Sequence, residues 1–254
     1  FIKQVLNEAH IPLNEINLTL TKGFFNDSLL NHPNRPIAML HVDGDLYESH
    51  KSVLEILFDR FKKVENIDKI ILSTTINKSD DVLVNLAKKN KIDFFRGSEN
   101  NVIRRVLETG KCFNAKFILL VTGDCPIFDY NLASQLLKTF LINKNLDYAN
   151  NGQFGLPNGM GCQVFKLNSL LKSYKNIRWK DEYEHVTLNL RRNKKKFNHL
   201  YINADKLNHD PKLMVTLDHK NDSIVIKKII NFFKKKNNKY FLNKDLIENK
   251  KKLK

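Results

Sequence analysis

The stretch Phe117 to Pro126, FILLVTGDCP, constrains this chain more than any other. Phe117, Ile118, Leu119, Leu120 and Val121 form a continuous apolar block bounded by turn residues, the pattern of a strand buried on both faces of a parallel sheet. A Gly turn then presents Asp124 at the carboxyl edge of that sheet. Open α/β sheets bind ligands in the crevice outside this edge, where a carboxylate is placed to hold a hard cation such as Mg²⁺ against phosphate oxygens. An Asp in this position equally serves as the cap of the following turn or helix, and spacing alone leaves both readings open.

Other segments repeat the same alternation. Apolar blocks at Ile37 to Val42 (IAMLHV), in IDKIILSTT and at Phe94 and Phe95 read as strands, the last running into Arg96, Gly97, Ser98 and Glu99. Between them, SVLEILFDRFKKV, SDDVLVNLAKKNKI, Val102 to Cys112 and Leu132 to Leu141 carry apolar residues at helical spacing, with Ser79 as the expected N-cap of the second. Phe1 to His10 reads as the end of an amphipathic helix and Ile16 to Thr21 as a short strand. Near the end, LMVTLD at Leu213 to Asp218 is a second strand-like run that closes on an Asp, which predicts that Asp124 and Asp218 leave the same sheet edge. Alternating β and α segments imply an α/β fold with a mainly parallel sheet, right-handed crossovers and helices on both faces.

The 254 residues, 42% of them hydrophobic, suffice for one large domain or for a domain with an appendage. No apolar run approaches the roughly 20 residues that span a bilayer, and no secretory signal opens the chain, so a cytoplasmic location is expected. The first residue is Phe1, which makes a fragment boundary the expected reading of the N-terminus. Cys112, Cys125 and Cys162 are odd in number and scattered, which fits reduced structural thiols rather than a disulfide framework or a zinc site. The net charge is +16, but Lys dominates Arg and is spread along the chain with abundant Asn. The densest runs, Lys194 to Lys196, Lys234 to Lys236 and Lys250 to Lys252, read as solvated helix ends and a tail. This pattern argues for a general attraction to anionic ligands and against a specific nucleic-acid partner.

Two resemblances emerge from the ordered motifs. KGFFNDSL followed by IAMLHVDGDLYES resembles the macrocin O-methyltransferase family, in which the position matching Asp43 helps to bind a divalent metal. This likeness covers about residues 1–50; neither the Gly-rich cofactor loop nor the later strand with paired acidic ligands is present. From about Lys51 to Phe233, the segments KSVLEILFDRFKKVENIDKIILSTT, SDD, FFRGSENNVIRRV, TGDCP, LDYANN, YEHVTLNLRRN and VTLDHKND resemble the cytidylyltransferases of the spore-coat polysaccharide and acylneuraminate type. The resemblance implies the nucleotide-diphospho-sugar transferase fold, a GT-A-like Rossmann architecture, truncated at its N-terminus. The implied organisation is a methyltransferase-like fragment at 1–50, with Ile37 to Val42 donating a strand to the main sheet, a cytidylyltransferase-like domain at 51–233 and a Lys-rich tail at 234–254.

The same resemblance implies transfer of CMP from CTP to a sugar or sugar acid in glycan biosynthesis, and it admits a homodimer. It assigns Asp124 and Asp218 as the catalytic Mg²⁺ ligands, Arg96 and Ser98 as nucleotide contacts, and Glu184 and His185 as contacts of the sugar acceptor. Simpler roles stand beside these: Arg96 paired with Glu99, His185 as a satisfied core histidine, and Asp218 as a helix start. Two departures bear on activity. The family opens with a strand and a loop rich in Gly, Arg and Lys that wraps the phosphates, and here IAMLHVDGDLYESH stands instead, with Asp43, Asp45 and Glu48. In NGMGCQVF, Asn158, Gly161 and Gln163 occupy positions that are usually acidic in the relatives. An inactive fusion remnant with a structural role, or a methyltransferase remnant, are the alternatives.

Overall fold

Residues 36–41, 55–152, 154–219 and 221–253 are described by the structure, a computed structural model. Strand β1 (Pro36–His41) precedes helix α1 (residues 55–61), β2 (Lys69–Thr75), a 3-10 turn (Lys78–Asp80), α2 (Asp81–Lys89) and β3 (Asp93–Gly97). Helix α3 (Val102–Cys112), β4 (Phe117–Thr122), α4 (Tyr130–Ile142), β5 (Tyr148–Asn150) and β6 (Gln163–Lys166) follow. The chain continues with α5 (Leu167–Tyr174), α6 (Asp181–Glu184), α7 (Leu188–Arg192), β7 (His199–Tyr201), α8 (Asp222–Lys235) and α9 (Asn243–Leu253).

The strands form one sheet in the order β3-β2-β1-β4-β6-β5-β7. Strand β1 lies between β2 and β4 and is parallel to both, with Met39 opposite Ile71 on one side and Leu120 on the other. Its segment, IAMLHV in the sequence, therefore completes the backbone ladder of β2 and β4, which would otherwise hold unpaired N–H and C=O groups in the middle of the sheet. The α/β architecture and the mainly parallel sheet agree with the alternation in the sequence. The difference lies beyond β4, which pairs with β6 in the antiparallel sense, as β6 does with β5. β4 is thus flanked by one parallel and one antiparallel neighbour rather than by two parallel ones.

Period-2 side-chain alternation divides the core between the two faces of the sheet. Along β4, Leu119 and Val121 join Leu57, Phe58, Phe61, Leu86, Leu136 and Phe140 on one face. Ile118 and Leu120 join Val106, Leu107, Tyr148, Phe165 and Leu190 on the other. Each fully buried Leu, Ile or Phe contributes about 1.5–3 kcal/mol relative to an exposed one, so a continuous apolar strand with helices on both faces is the favoured arrangement. A third cluster, Ile127, Met160, Val215, Leu217, Ile226, Ile229, Phe233, Phe241 and Leu246, lies beneath α8 and α9.

Several local expectations are corrected. Ser79 does not cap α2: it lies in the 3-10 turn, and α2 starts after Asp80, whose side chain makes no cap bond. The buried Asp80 carboxylate instead turns back to β2, accepting from Thr74 Oγ1 at 2.6 Å, Thr75 N–H at 2.9 Å and Thr75 Oγ1 at 2.6 Å. Lys234 to Lys236 and Lys250 to Lys252 are exposed, as expected of solvated helix ends, but residues 234–253 are not a tail, because Phe241 and Leu246 are fully buried and anchor α9. The run Leu213 to Asp218 is not a strand of the sheet; among its residues only Met214 makes a β-bridge, to Asn158. The expectations for Phe1 to His10, Ile16 to Thr21, Val42, Asp43, Asp45 and Glu48 fall outside the described residues.

Candidate active site

Strand β4 ends at Thr122, and a turn closed by Cys125 N–H to the Thr122 carbonyl at 3.0 Å sets Asp124 at its carboxyl edge. The Asp124 carbonyl accepts from the amide of Leu217 at 2.9 Å, which brings the neighbouring Asp218 to the same place. Segment 213–217 is held there by Asn158, whose amide donates to the Leu213 carbonyl at 2.9 Å and whose carbonyl accepts from Val215 at 2.9 Å. Gly159, at φ +94°, makes this approach possible: a Cβ there would lie 2.9 Å from the carbonyl carbon and oxygen of Val215.

Asp218 is oriented twice. Its Oδ2 accepts from Thr216 Oγ1 at 2.6 Å, and its backbone N–H, like that of His219, donates to Asp222 Oδ2, at 2.9 and 2.7 Å. Asp222 begins α8 and was passed over in the sequence; an acidic residue in the first turn of a helix was its available signal. Asp124 Oδ1 accepts from the Cys125 thiol at 3.5 Å. Burial pushes the Cys125 thiol well up, and the charges of Asp124 and Asp218 push it further, so it stays protonated beside the pair. Asp124 Oδ2 and Asp218 Oδ1 have no hydrogen-bond partner among the described residues. Those residues contain no group of three His, Cys, Asp or Glu side chains able to enclose a metal.

The other sequence candidates are arranged differently. Arg96 lies on β3, parallel to β2 and so at the same carboxyl edge, but its guanidinium is already engaged. It donates to the carbonyls of Thr75 and Asn77 at 2.8 and 2.6 Å and pairs with Asp81 at 2.5 Å, not with Glu99. Ser98 Oγ accepts from Asn101 N–H at 3.1 Å, and its carbonyl accepts from Arg105 at 2.6 Å. Glu184 and His185 are both exposed, so His185 is not a core histidine. The carboxylate that is used in this region is the fully buried Glu182. It accepts from Arg178 N–H at 2.9 Å, Asn189 at 2.9 Å and Arg192 at 3.1 Å. Burial opposes its ionisation, but these bonds outweigh burial and hold its pKa below the usual carboxylate range. Thr187, two residues beyond His185, reaches Gln163 of the NGMGCQVF segment at 2.5 Å, so these two motifs do meet, through residues the sequence reading did not assign.

The mainly parallel sheet with helices on both faces is the fold of nucleotidyltransferases of the Rossmann-like type. The structure of a cytidylyltransferase from Leptospira borgpetersenii serovar Hardjo-bovis superposes with a TM-score of 0.79 at 27% identity, covering 86% of this chain and 94% of that one. The cytidylyltransferase family profile matches residues 49–251, and the chain belongs to that family. The uncharacterized protein MJ1063 of Methanocaldococcus jannaschii is 32% identical over 168 residues, 66% of this chain and 68% of that protein. The spore coat polysaccharide biosynthesis protein SpsF of Bacillus subtilis is 26% identical over 180 residues, 69% of this chain and 74% of that protein. A macrocin-O-methyltransferase profile matches residues 7–72, most of which lie outside the described residues.

Proposed function

We propose that this chain transfers CMP from CTP to a sugar or sugar acid for surface polysaccharide or glycan synthesis. The observation that carries the reading is the junction of Asp124 and Asp218 at the carboxyl edge of β4, made by the Leu217 amide, in a chain matched to the cytidylyltransferase family from 49 to 251. Two carboxylates, each with an oxygen that has no partner among the described residues, are hard donors that suit Mg²⁺ when phosphate and water oxygens complete an octahedral shell. Asp124 and Asp218 would hold this ion, and when bound it would neutralise charge developing on the phosphates. An acceptor hydroxyl attacks the α-phosphorus, the bond to the bridging oxygen breaks, and pyrophosphate leaves with its electron pair. The contribution of the chain is position and electrostatics; no side-chain nucleophile takes part. Arg96, by fixing Thr75, Asn77 and Asp81, shapes the loop after β2, and in this reading that loop and Ser98 border the nucleotide. CTP and the sugar are its partners in a cytoplasmic setting; among the described residues no helix is long and apolar enough to cross a membrane.

One sequence observation favours a second reading, a folded but catalytically inactive fusion product. Strand β1 is parallel to β4 and ends at the same carboxyl edge, and the sequence that follows it contains Asp43, Asp45 and Glu48 instead of a basic, Gly-rich phosphate loop. In both readings residues 1–50 resemble a methyltransferase fragment that donates β1 to the sheet of the cytidylyltransferase-like domain. Pyrophosphate release with CTP, Mg²⁺ and a panel of sugar acids, alongside calorimetric titration with CTP, separates the two. Turnover sinks the inactive reading, and absence of heat at millimolar CTP sinks the transferase.

A further inference from the structure

The carboxylates of Asp124 and Asp218 are each tied to the chain through one oxygen, and the donors that tie them are themselves fixed. Thr216 lies between Val215 and Leu217, whose amides donate to the carbonyls of Asn158 and Asp124, each at 2.9 Å. Backbone bonds on both sides therefore hold Thr216, and it is buried at 8% exposure. Its methyl is turned to Gly159, with Cγ2 3.1 Å from where a Cβ on that glycine would sit. Its hydroxyl is turned to Asp218 Oδ2 at 2.6 Å, and because a carboxylate only accepts, the single hydroxyl proton goes to it. The backbone of Asp218 is held separately, its amide donating to Asp222 Oδ2 at 2.9 Å, so the Thr216 bond governs the rotation of the carboxylate.

Asp124 has a weaker version of the same device. Cys125 donates its thiol proton to Asp124 Oδ1 at 3.5 Å, and the Thr122 hydroxyl lies 3.4 Å from the same sulfur. A thiol has one proton, so Thr122 is the donor in that contact and the order runs from Thr122 to Cys125 to Asp124. Asp124 Oδ2 and Asp218 Oδ1 are the oxygens left over among the described residues. The distinction bears on the kind of cation. Ca²⁺ takes about six to eight oxygens in a flexible shell and commonly uses both oxygens of a carboxylate, whereas Mg²⁺ demands a near-ideal octahedron. The narrow bite of a carboxylate bound through both oxygens distorts an octahedron. A cation that used both oxygens of Asp218 would also compete with Thr216 for Oδ2.

We propose that Thr216, assisted by Cys125, is a positioning residue that sets metal selectivity: by tying one oxygen of each carboxylate it leaves the other to bind singly, which favours Mg²⁺ or Mn²⁺ over Ca²⁺. The inference rests on the reading of Asp124 and Asp218 as the Mg²⁺ ligands and adds what decides among divalent cations there.

Protein-bound Mn²⁺, read by proton relaxation enhancement on the full chain with CTP and without acceptor, tests it, with Mg²⁺ and Ca²⁺ as competing ions and a protein-free control. T216V keeps the methyl against Gly159 and loses the hydroxyl, T216S keeps the hydroxyl, and C125A removes the thiol. In the wild type, Mg²⁺ is expected to displace Mn²⁺ at about tenfold lower concentration than Ca²⁺ does. The ratio should narrow about fivefold or more in T216V, less but in the same direction in C125A, and stay within about twofold in T216S. Should T216V fail to fold, C125A against C125S decides by the same ratio. An unchanged ratio in T216V overturns the proposal, as does a wild type that favours Ca²⁺. T216S behaving as T216V also overturns it, because packing rather than the hydroxyl would then be responsible. A wild type that binds CTP but holds no Mn²⁺ refutes the shared-metal reading and this inference together, whereas bound Mn²⁺ with unchanged ratios refutes the inference alone.

Discussion

The amide of Leu217 donates to the carbonyl of Asp124 at 2.9 Å, and this backbone bond places Asp218 beside the end of β4 although no sheet strand carries it there. Because the bond does not involve side chains, Asp124→Asn and Asp218→Asn leave the junction intact and remove only charge. Each is expected to lower pyrophosphate release by about 100-fold or more, with the double variant close to the single ones because the pair acts as a unit. Thermal melts of the variants within a few degrees of the wild type, together with weakened Mn²⁺ binding, would complete the result. An unchanged rate in either variant contradicts the assignment.

Gly159 determines how closely segment 213–217 can approach. At φ +94°, with Val215 backbone atoms 2.9 Å from where a Cβ would sit, G159A forces either a strained backbone or a shift of Val215. A loss of about 1–3 kcal/mol is expected from urea unfolding. Activity should fall more than stability alone explains, because Asp218 moves with Val215; faster exchange of the Leu217 amide would report that movement.

Asp80 predicts an acid limb in the stability curve. Burial alone would raise its pKa, but hydrogen bonds from Thr74, Thr75 and Ser79 outweigh it and hold the carboxyl below its ordinary value. A depressed folded pKa contributes stability that is fully present above the unfolded value of about 3.9 and is lost as pH falls through it towards the folded value. D80N is expected to cost about 2 kcal/mol at pH 7 and to flatten the dependence between about pH 5 and pH 3. Urea midpoints across that range give the comparison, and parallel curves for variant and wild type would contradict it.

Arg60 ties the C-terminal segment to the start of the fold. Its NH1 donates to the carbonyls of Phe128 and Phe241, each at 3.1 Å, and its guanidinium lies over the Phe241 ring at 4.4 Å. Burial lowers its pKa to about 10, partly offset by Asp129 and Tyr130, so it remains cationic at neutral pH. The Asn243 amide at the start of α9 completes the anchor through Asp129 Oδ2 at 2.7 Å. R60A should lose about 3–5 kcal/mol and L246A about 2–5 kcal/mol, both measured as urea midpoints. A null effect of L246A would mean that α9 does not hold the domain.

Much of the architecture was legible in the sequence because it depends on local patterns. The apolar blocks at Phe117 and in KIILSTT, and the helical spacing of Val102 to Cys112, need only the pairing of hydrophobic period with backbone geometry, and they recur as β4, β2 and α3. The order of several motifs singled out Asp124 and Asp218, but the backbone bond that brings them to one end of β4 was not in the sequence pattern. What the sequence did not contain is direction: whether Arg96 turns to Glu99 or to Asp81, whether Ser79 or Asp80 is used, and whether Glu182 or Glu184 is the buried carboxylate. Neighbouring residues of one type differ in such cases only by which donors the fold brings near. For the same reason Leu246 in a Lys-rich stretch looked like tail until its burial beneath α8 was known, and Gln163 looked like a lost acid until Tyr148 and Thr187 fixed its amide. Periodicity and residue chemistry are properties of short segments and were set by the sequence itself; the partner of each polar atom depends on contacts between distant segments and was decided only by the tertiary structure.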